Sequence, residues 1–422
     1  MDAGLHPRFG SRLPRRRRAS ASQGVLIFLQ AWRLSDGRTA TVGSPCAAEL
    51  ESWLYDDTRW APPGYHVLCV APGGEDSADH RIELWRGGHA RAAPAVWSLP
   101  AGASLGSLRH EVQRRAKMKR QRRWRILPWA LFDATGAPVR SLEQLGGVML
   151  AFEGGRWVWP GIREGFERRV PLRTLYGSTA TVTLRTLTLD PLAFTVEGFM
   201  NSTAARRVID FAKPRFRRSG VEVPGQGSGA DVEQVRTCSE AWVDPRENEY
   251  LEEVAQHTAS LTRVPRKLQE DFRMLQYRAG QQFVAHTDYY EVEDFKDHPQ
   301  ISQELKDGRN WLVTVYAYLS SVKKGGETYF PSTYGKPLPA NLSRCEGPSV
   351  EPRRGSALLF YSLHPDSKPN LSSMHGGCKV IRGVKYTVNI WTFNQLKGLT
   401  APDPEDSVPT TGPETRARRS EL

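Results

Sequence analysis

The segment YRAGQQFVAHTDYY, residues 277–290, decides how the second half of this chain folds. Its apolar and aromatic run FVAHTDYY has the character of a β-strand, in which side chains two residues apart point to the same face. His286 and Asp288 therefore share one face, and Thr287 points to the other. The pair is either part of a metal site or a solvent-facing pair on an edge strand, and these residues alone leave both interpretations open.

A third ligand would complete the site. Two histidines and one carboxylate on one face of an iron ion leave three positions open for a cosubstrate and oxygen. Among the 10 histidines of the chain, the best candidate is His375 in NLSSMHGGCKV, residues 370–380. Two glycines follow it and allow the backbone to turn tightly.

Lys385 stands ten residues after His375 in a segment of strand character. A lysine buried in a β-core is costly unless it meets a negative charge. A dicarboxylate cosubstrate would supply that charge. The alternative is an exposed lysine that pairs with a neighbour on a surface strand.

The net charge of +12 is the difference between 58 basic and 46 acidic residues. The arginine run at 15–18 and the run RRAKMKRQRRWR at 114–125 account for this excess. Each run is either solvated surface or an electrostatic contact with nucleic acid, acidic protein or a membrane surface. The length predicts two or three domains, and no apolar run is long enough to predict a transmembrane segment.

The cysteines and the glycosylation sequons bear on the cellular compartment. The five cysteines are odd in number, scattered and free of C-x-x-C spacing, which predicts neither a disulfide framework nor a zinc site. Sequons begin at Asn201, Asn341 and Asn370, and they matter only in the secretory pathway. A cytoplasmic location is favoured, with the endoplasmic reticulum as the alternative.

The first half of the chain predicts small mixed units. Residues 1–22 are rich in arginine and serine and predict a disordered basic tail. Residues 23–78 hold strand-like runs around one helical segment. Residues 79–158 follow the strand–strand–helix–strand–strand order of a ubiquitin-like or doublecortin-like β-grasp. We therefore predict one or two β-grasp units, followed by a linker over 159–185.

The second half predicts an α+β domain over residues 186–398. LTLDPLAFTVEGFMNSTAARRVIDFA, residues 187–212, indicates a strand and then a helix capped near Asn201. After a second helix, short strand-like runs dominate, which is typical of a double-sheet β-core. Residues 399–422 predict a disordered tail.

Four segments carry a family resemblance: YRAGQQFVAHTDYY, LVTVYAYLSSVKKGGETYFP, PRRGSALLFYS and SSMHGGCKVIRGVKYTVNIWTF. In this order and spacing they resemble the prolyl 4-hydroxylase family of iron(II)/2-oxoglutarate dioxygenases, over about residues 186–396. The chain departs from the family's frequent HAGCPV at residues 375–380, and it has Lys385–Tyr386 where Lys-Trp is frequent. Neither departure changes a ligand.

The resemblance implies a double-stranded β-helix, or jelly roll, with flanking helices. It implies that His286, Asp288 and His375 hold Fe(II), and that Lys385 pairs with the distal carboxylate of 2-oxoglutarate. A lysine in this role also disfavours nucleic-acid demethylases, which usually use arginine there.

Four further residues match positions with a family role. Tyr277 and Thr314 match residues that hydrogen-bond the same carboxylate, and core packing is an equally good account of each. Trp391 matches a wall residue near the substrate. Arg236 matches a loop residue on the substrate side, and a surface salt bridge explains it equally well.

The implied activity is hydroxylation of peptidyl proline, with O2 consumed, succinate and CO2 formed and L-ascorbate as reductant. The alternatives are an inactive jelly-roll adaptor that works through its basic β-grasp region, and an oxygenase for another substrate. The β-grasp region is a candidate for docking a protein partner. Nucleic acid is the less favoured partner.

Overall fold

The front half of the chain forms one five-stranded antiparallel sheet. A computed structural model of the chain describes residues 43–73, 78–118, 129–219 and 238–397. The strands of this sheet are β1 Tyr65–Pro72, β2 His80–Arg86, β3 Ala95–Leu99, β4 Ala130–Asp133 and β5 Gly147–Phe152. Their order across the sheet is β3-β2-β1-β5-β4.

Two helices accompany this sheet, the short α1 Ala47–Leu50 and the longer α2 Leu105–Ala116. Helix α2 begins where the Ser104 side chain accepts a hydrogen bond from the Ser107 backbone N–H, at 3.1 Å. Leu108 and Val112 lie four residues apart on one helical face and are fully buried against the sheet. The helix therefore covers one face of the sheet.

The sheet differs from the predicted tandem units. Strand β1 belongs to the predicted unit 23–78, yet it lies between β2 and β5 of the predicted unit 79–158. The predicted order of strands and helix is present over residues 80–152. Because β1 pairs antiparallel with both neighbours, one sheet spans the predicted boundary at residues 78/79.

The back half is built on a nine-stranded sheet. Its order is β6-β7-β8-β17-β13-β20-β11-β10-β9. The strands are β6 Glu167–Arg173, β7 Thr179–Leu189, β8 Leu192–Glu197, β9 Arg217–Arg218, β10 Ser239–Val243, β11 Phe272–Tyr277, β13 Trp311–Tyr318, β17 Ala357–Tyr361 and β20 Lys385–Phe393. The predicted linker 159–185 is thus mostly strand, because β6 and β7 extend one edge of this sheet.

A smaller sheet completes the jelly roll. Its order is β12-β18-β15-β16, with β12 Phe283–His286, β15 Thr328–Tyr329, β16 Ser349–Val350 and β18 His375–Gly377. A separate pair joins β14 Lys324–Gly325 to β19 Val380–Arg382. The helices of this half are α3 Ser202–Ala212, α4 Glu249–Thr262 and α5 Pro299–Lys306. Asn201 caps α3 as predicted, through a 2.8 Å bond from the Ala204 N–H.

The two halves share one hydrophobic core. Trp157 packs edge-on against Phe132 and Phe152 of the front sheet, and it belongs to the same buried cluster as Phe194 and Tyr361 of the back sheet. Polar contacts cross the same boundary: the Gly161 N–H donates to the Tyr55 hydroxyl at 2.8 Å, and the Trp159 N–H donates to the Tyr361 hydroxyl at 3.0 Å. Both faces of the front sheet are therefore covered.

Two disulfides correct the prediction that the cysteines form no disulfide framework. Cys46, just before α1, pairs with Cys69 within β1, and Cys345 pairs with Cys378 just after β18. The pairing depends on which segments the topology makes neighbours, so sequence spacing did not reveal it. Cys238 is free and buried. A possible metal cluster of Glu327 with the second pair is excluded, because both of its thiols are oxidised.

Some predicted features lie outside the described residues. These are the tails 1–22 and 399–422, residues 119–125 of the basic run, and Arg236. Among the helices of the described ranges, none has the length and hydrophobicity needed to cross a bilayer.

Candidate metal centre

Two neighbouring strands bring the predicted ligands together. His286 ends β12, and it lies directly opposite His375, which begins β18. Asp288 lies beyond the end of β12, so a bend rather than strand alternation returns its side chain to the histidines. One ligand atom from each side chain lies within 4.8 Å of the others. Asp288 Oδ1 is 3.8 Å from the Nε2 atom of each histidine.

The remaining ring nitrogens are already engaged. His286 Nδ1 lies 3.0 Å from the Val284 carbonyl oxygen, and His375 Nδ1 lies 3.0 Å from the Ser373 carbonyl oxygen. A carbonyl can only accept, so each Nδ1 carries the proton and each Nε2 is the unprotonated ring nitrogen. This arrangement is the usual support for metal-binding histidines.

Thr314 orients the carboxylate. Its hydroxyl donates to Asp288 Oδ2 at 2.7 Å, and both residues are buried. Oδ1 is left facing the two Nε2 atoms. The three side chains therefore present two nitrogens and one oxygen to a common point, the donor set that suits Fe(II) with open positions.

Lys385 begins β20 and is only 2% exposed. Its Nζ lies 5.2–5.7 Å from the ring centroids of Tyr277, Tyr316 and Tyr318. Burial lowers the pKa of this lysine to about 7, against the opposing effect of the Glu327 carboxylate. Within the described ranges no carboxylate lies within ion-pair distance of Nζ. An incoming carboxylate would restore the charge that burial disfavours.

The comparisons with known proteins agree with this geometry. Residues 272–393 match the family model described as the 2OG-Fe(II) oxygenase superfamily. Probable prolyl 4-hydroxylase 4 of Arabidopsis thaliana is 34% identical over 209 residues, which cover 48% of this chain and 67% of the relative. Probable prolyl 4-hydroxylase 8 of the same plant is 34% identical and covers 49% of this chain and 70% of the relative.

The chain belongs to the prolyl 4-hydroxylase family. It spans about two thirds of the length of these relatives. Among solved structures, the viral collagen prolyl hydroxylase of Paramecium bursaria Chlorella virus-1 is 19% identical, with a TM-score of 0.34 and coverage of 48% of this chain and 95% of that chain. As a member of the family, the protein is a 2-oxoglutarate-dependent dioxygenase, and family membership implies Fe(II) and 2-oxoglutarate.

Tyr277 and Thr314, which were both predicted to bind the cosubstrate carboxylate, have different surroundings in the structure. Tyr277 is buried beside Lys385, as a residue near a cosubstrate carboxylate would be. Thr314 was expected to bind that carboxylate, and the structure instead joins its hydroxyl to Asp288. Its role in cosubstrate binding stays a prediction.

Trp391 belongs to an aromatic row. It lies opposite Thr314 across the β13–β20 pair, stacks on Trp311 with 4.5 Å between ring centroids, and lies 5.8 Å from Trp242. Trp242 is 49% exposed, whereas Trp391 and Trp311 are buried. The row therefore leads from solvent toward the residue that holds Asp288.

Sequence reasoning missed Asn389. Lys385, Asn389 and Trp391 stand at alternate positions of β20 and so share one face. Asn389 is buried, and its Oδ1 has no hydrogen-bond partner among the described residues. Asn389 is four residues after Lys385 on the same strand, and this even spacing could have identified it as a residue that faces the site.

Proposed function

We propose that the protein hydroxylates peptidyl proline, with Fe(II) held by His286, Asp288 and His375 and 2-oxoglutarate held by Lys385. The convergence of the three ligand atoms within 4.8 Å carries this proposal, and His286 Nδ1, His375 Nδ1 and Asp288 Oδ2 each have a hydrogen-bond partner away from that point. Lys385 is buried and has no ion-pair partner among the residues that the structure describes, which supports the assignment of a dicarboxylate.

Each residue has a defined task. When bound, iron and 2-oxoglutarate supply the oxidant that transfers one oxygen atom of O2 to a carbon, with succinate and CO2 as coproducts. The two Nε2 atoms and Oδ1 would hold the metal and leave its other positions for cosubstrate and oxygen. Lys385 would neutralise the distal carboxylate, and the three tyrosine rings around Nζ would exclude water from that ion pair. L-Ascorbate would keep the metal reduced.

The aromatic row supports a proline-rich peptide as substrate. Proline-rich segments adopt the extended polyproline II conformation and dock on aromatic side chains. Trp242 offers an exposed indole at the surface, and Trp391 continues the row toward Asp288. Arg273 lies 5.2 Å from the Trp242 ring centroid and 5.8 Å from that of Trp391, which fixes their relative positions.

The first experiment is mass spectrometry of a proline-rich peptide incubated with the purified protein, Fe(II), 2-oxoglutarate and ascorbate. A His286→Ala variant serves as the control. One added oxygen on proline, absent with the variant, is expected. Succinate without peptide oxidation would indicate an oxygenase with another substrate. Absence of succinate from iron-loaded protein would refute the enzyme and favour the adaptor.

We also propose that the front sheet docks an acidic, extended segment of a protein partner. Strand β3 is an edge of the sheet, and a groove runs between it and α2, lined by Trp97, Ser107 and Arg115 among others. Edge strands pair readily with an added strand. Arg114, Arg115 and Lys117 lie at the C-terminal end of α2 beside this groove and complement an acidic occupant, although Arg115 also pairs with Glu111 of the groove lining at 2.9 Å.

Docking can be measured with a labelled peptide of alternating glutamate and valine by fluorescence anisotropy. We expect binding that weakens with added salt and with Arg115→Gln, while hydroxylation of a short proline peptide stays unchanged. Equal binding by the variant, or no binding to the intact protein, would refute this docking site.

A further inference from the structure

The three sequons differ in the structure although they look alike in sequence. They begin at Asn201, Asn341 and Asn370. N-glycosylation attaches a sugar to the side-chain Nδ2 of asparagine, and it needs the hydroxyl of the serine or threonine two positions later. The exposure and partners of these two groups therefore distinguish the three sites.

In the third sequon, one carboxylate accepts hydrogen bonds from both polar groups that glycosylation needs. Asp190 Oδ1 accepts a hydrogen bond from Asn370 Nδ2 at 3.0 Å, and Asp190 Oδ2 accepts one from the Ser372 hydroxyl at 2.8 Å. Asn370 and Ser372 are 5% and 6% exposed. A glycan on Asn370 would displace the first contact, and the nitrogen that would carry it belongs to a buried side chain.

The first two sequons are open. Asn201 is exposed and caps α3 through Oδ1, which accepts from the Ala204 N–H, so its Nδ2 is not used by the cap. Asn341 is exposed, and its Oδ1 accepts from the Ser343 N–H at 2.9 Å. Within the described ranges neither Nδ2 donates a hydrogen bond. A sugar can occupy each nitrogen while the local turn or cap persists.

The disulfides indicate the compartment in which this difference matters. Cys46–Cys69 and Cys345–Cys378 are two independent pairs, far apart in sequence. Disulfides persist in secreted proteins and in the lumen of the endoplasmic reticulum, and they are rare in the reducing cytosol. N-glycosylation takes place in the same lumen.

We propose that Asn201 and Asn341 are N-glycosylation sites and that Asn370 is not. In the transfer, Nδ2 attacks the anomeric carbon of an oligosaccharide carried on a lipid pyrophosphate. The new N–C bond replaces the bond from that carbon to the pyrophosphate oxygen, which leaves with the electron pair while Nδ2 loses a proton. No oxidation is involved. The proposal is independent of the substrate of the oxygenase.

The test is production of the 422-residue chain in a cultured eukaryotic cell line, followed by native purification. Enzymatic deglycosylation in heavy-oxygen water marks each formerly glycosylated asparagine, and peptide mass spectrometry reads the three sites. Peptide mapping without reductant, on the same sample, reads both disulfides. Label at Asn201 and Asn341, none at Asn370 and two intact disulfides are expected.

Two matched variants keep the asparagines in place. Thr203→Ala and Ser343→Ala remove the sequon hydroxyl but leave the Asn201 cap and the Asn341 turn. On a gel, the apparent mass of each single variant should be lower by one glycan. The double variant should migrate with the deglycosylated protein. Label on Asn370 in folded protein would overturn the proposal. Absence of label on Asn201 or Asn341 would also overturn the proposal. If the disulfides are intact in that sample, the argument from side-chain exposure is wrong. If the disulfides are absent, the inferred compartment is wrong.

Discussion

Lys385 allows a prediction in which activity and stability move in opposite directions. Replacing it by methionine keeps a long unbranched side chain among the rings of Tyr277, Tyr316 and Tyr318 and removes a buried ammonium. The variant should lose 2-oxoglutarate turnover. Without ligands it should nevertheless be more stable than the original protein.

The magnitude follows from the pKa. Burial lowers the Lys385 pKa from 10.5 to about 7, and each pH unit corresponds to about 1.4 kcal/mol, so the buried charge costs up to about 5 kcal/mol. Replacing buried charges by apolar groups has returned about 1–4 kcal/mol, which is the gain expected here. Because the unfolded chain binds the proton more tightly, stability of the original protein rises with pH between about 7 and 10.5. Below about pH 7 both states are protonated and the cost is complete.

The assay is urea unfolding followed by tryptophan fluorescence at about pH 6, 7, 8.5 and 10. Lys385→Met should unfold at higher urea than the original protein at neutral pH, and the difference should shrink toward pH 10. Under anaerobic conditions with Fe(II), 2-oxoglutarate at 100 times its Kd should stabilise only the original protein, by about 2.7 kcal/mol. A variant that is less stable at pH 7, or that 2-oxoglutarate stabilises equally, would refute the assigned environment of Lys385.

Three further predictions concern the metal support, the small sheet and the shared core. Thr314→Val removes the hydroxyl that donates to Asp288 Oδ2, so the affinity for iron should fall about 10–100-fold. Succinate formation measured against iron concentration tests this, and an unchanged iron concentration at half-maximal rate would contradict the role of Thr314. Gly376→Ala would place a Cβ 2.7 Å from the Tyr329 ring and should cost about 1–3 kcal/mol in thermal unfolding, part of which Tyr329→Leu should recover; an unchanged melting temperature would exclude the close contact. A chain that begins at residue 159 exposes the face that the front sheet covers and should be insoluble; a soluble fragment with a cooperative melt would show that the halves fold separately.

The three side chains that converge at the candidate metal centre were predictable because they follow local rules. The spacing of His286 and Asp288, the glycines after His375 and the strand character around Lys385 are all visible in short windows of sequence. The structure has strands where these short segments predict them, although β12 ends before Asp288. The strand stops two residues before Asp288, and a bend instead of strand alternation brings that side chain to the histidines, so the three predicted ligands still lie together.

Features that depend on which distant segments become neighbours were not predictable. The Cys46–Cys69 pair and the insertion of β1 between β2 and β5 are both consequences of the sheet order. Thr314 has strand character in sequence, and only the structure shows that its hydroxyl faces Asp288. Asn389 was missed although alternation along β20 places it on the face of Lys385.

The central position of β1 has a consequence for the nascent chain. Strand β1 ends at residue 72, and its partner β5 begins at residue 147, so 75 residues (147 minus 72) separate synthesis of the two. At about 5–20 residues per second, a ribosome needs roughly 4–15 s to supply the partner. Throughout that interval the apolar residues of β1 can pair only with β2. A ribosome that pauses between residues 73 and 146 therefore lengthens the exposure of an unpaired apolar edge, and chaperone demand during translation should be highest in that window.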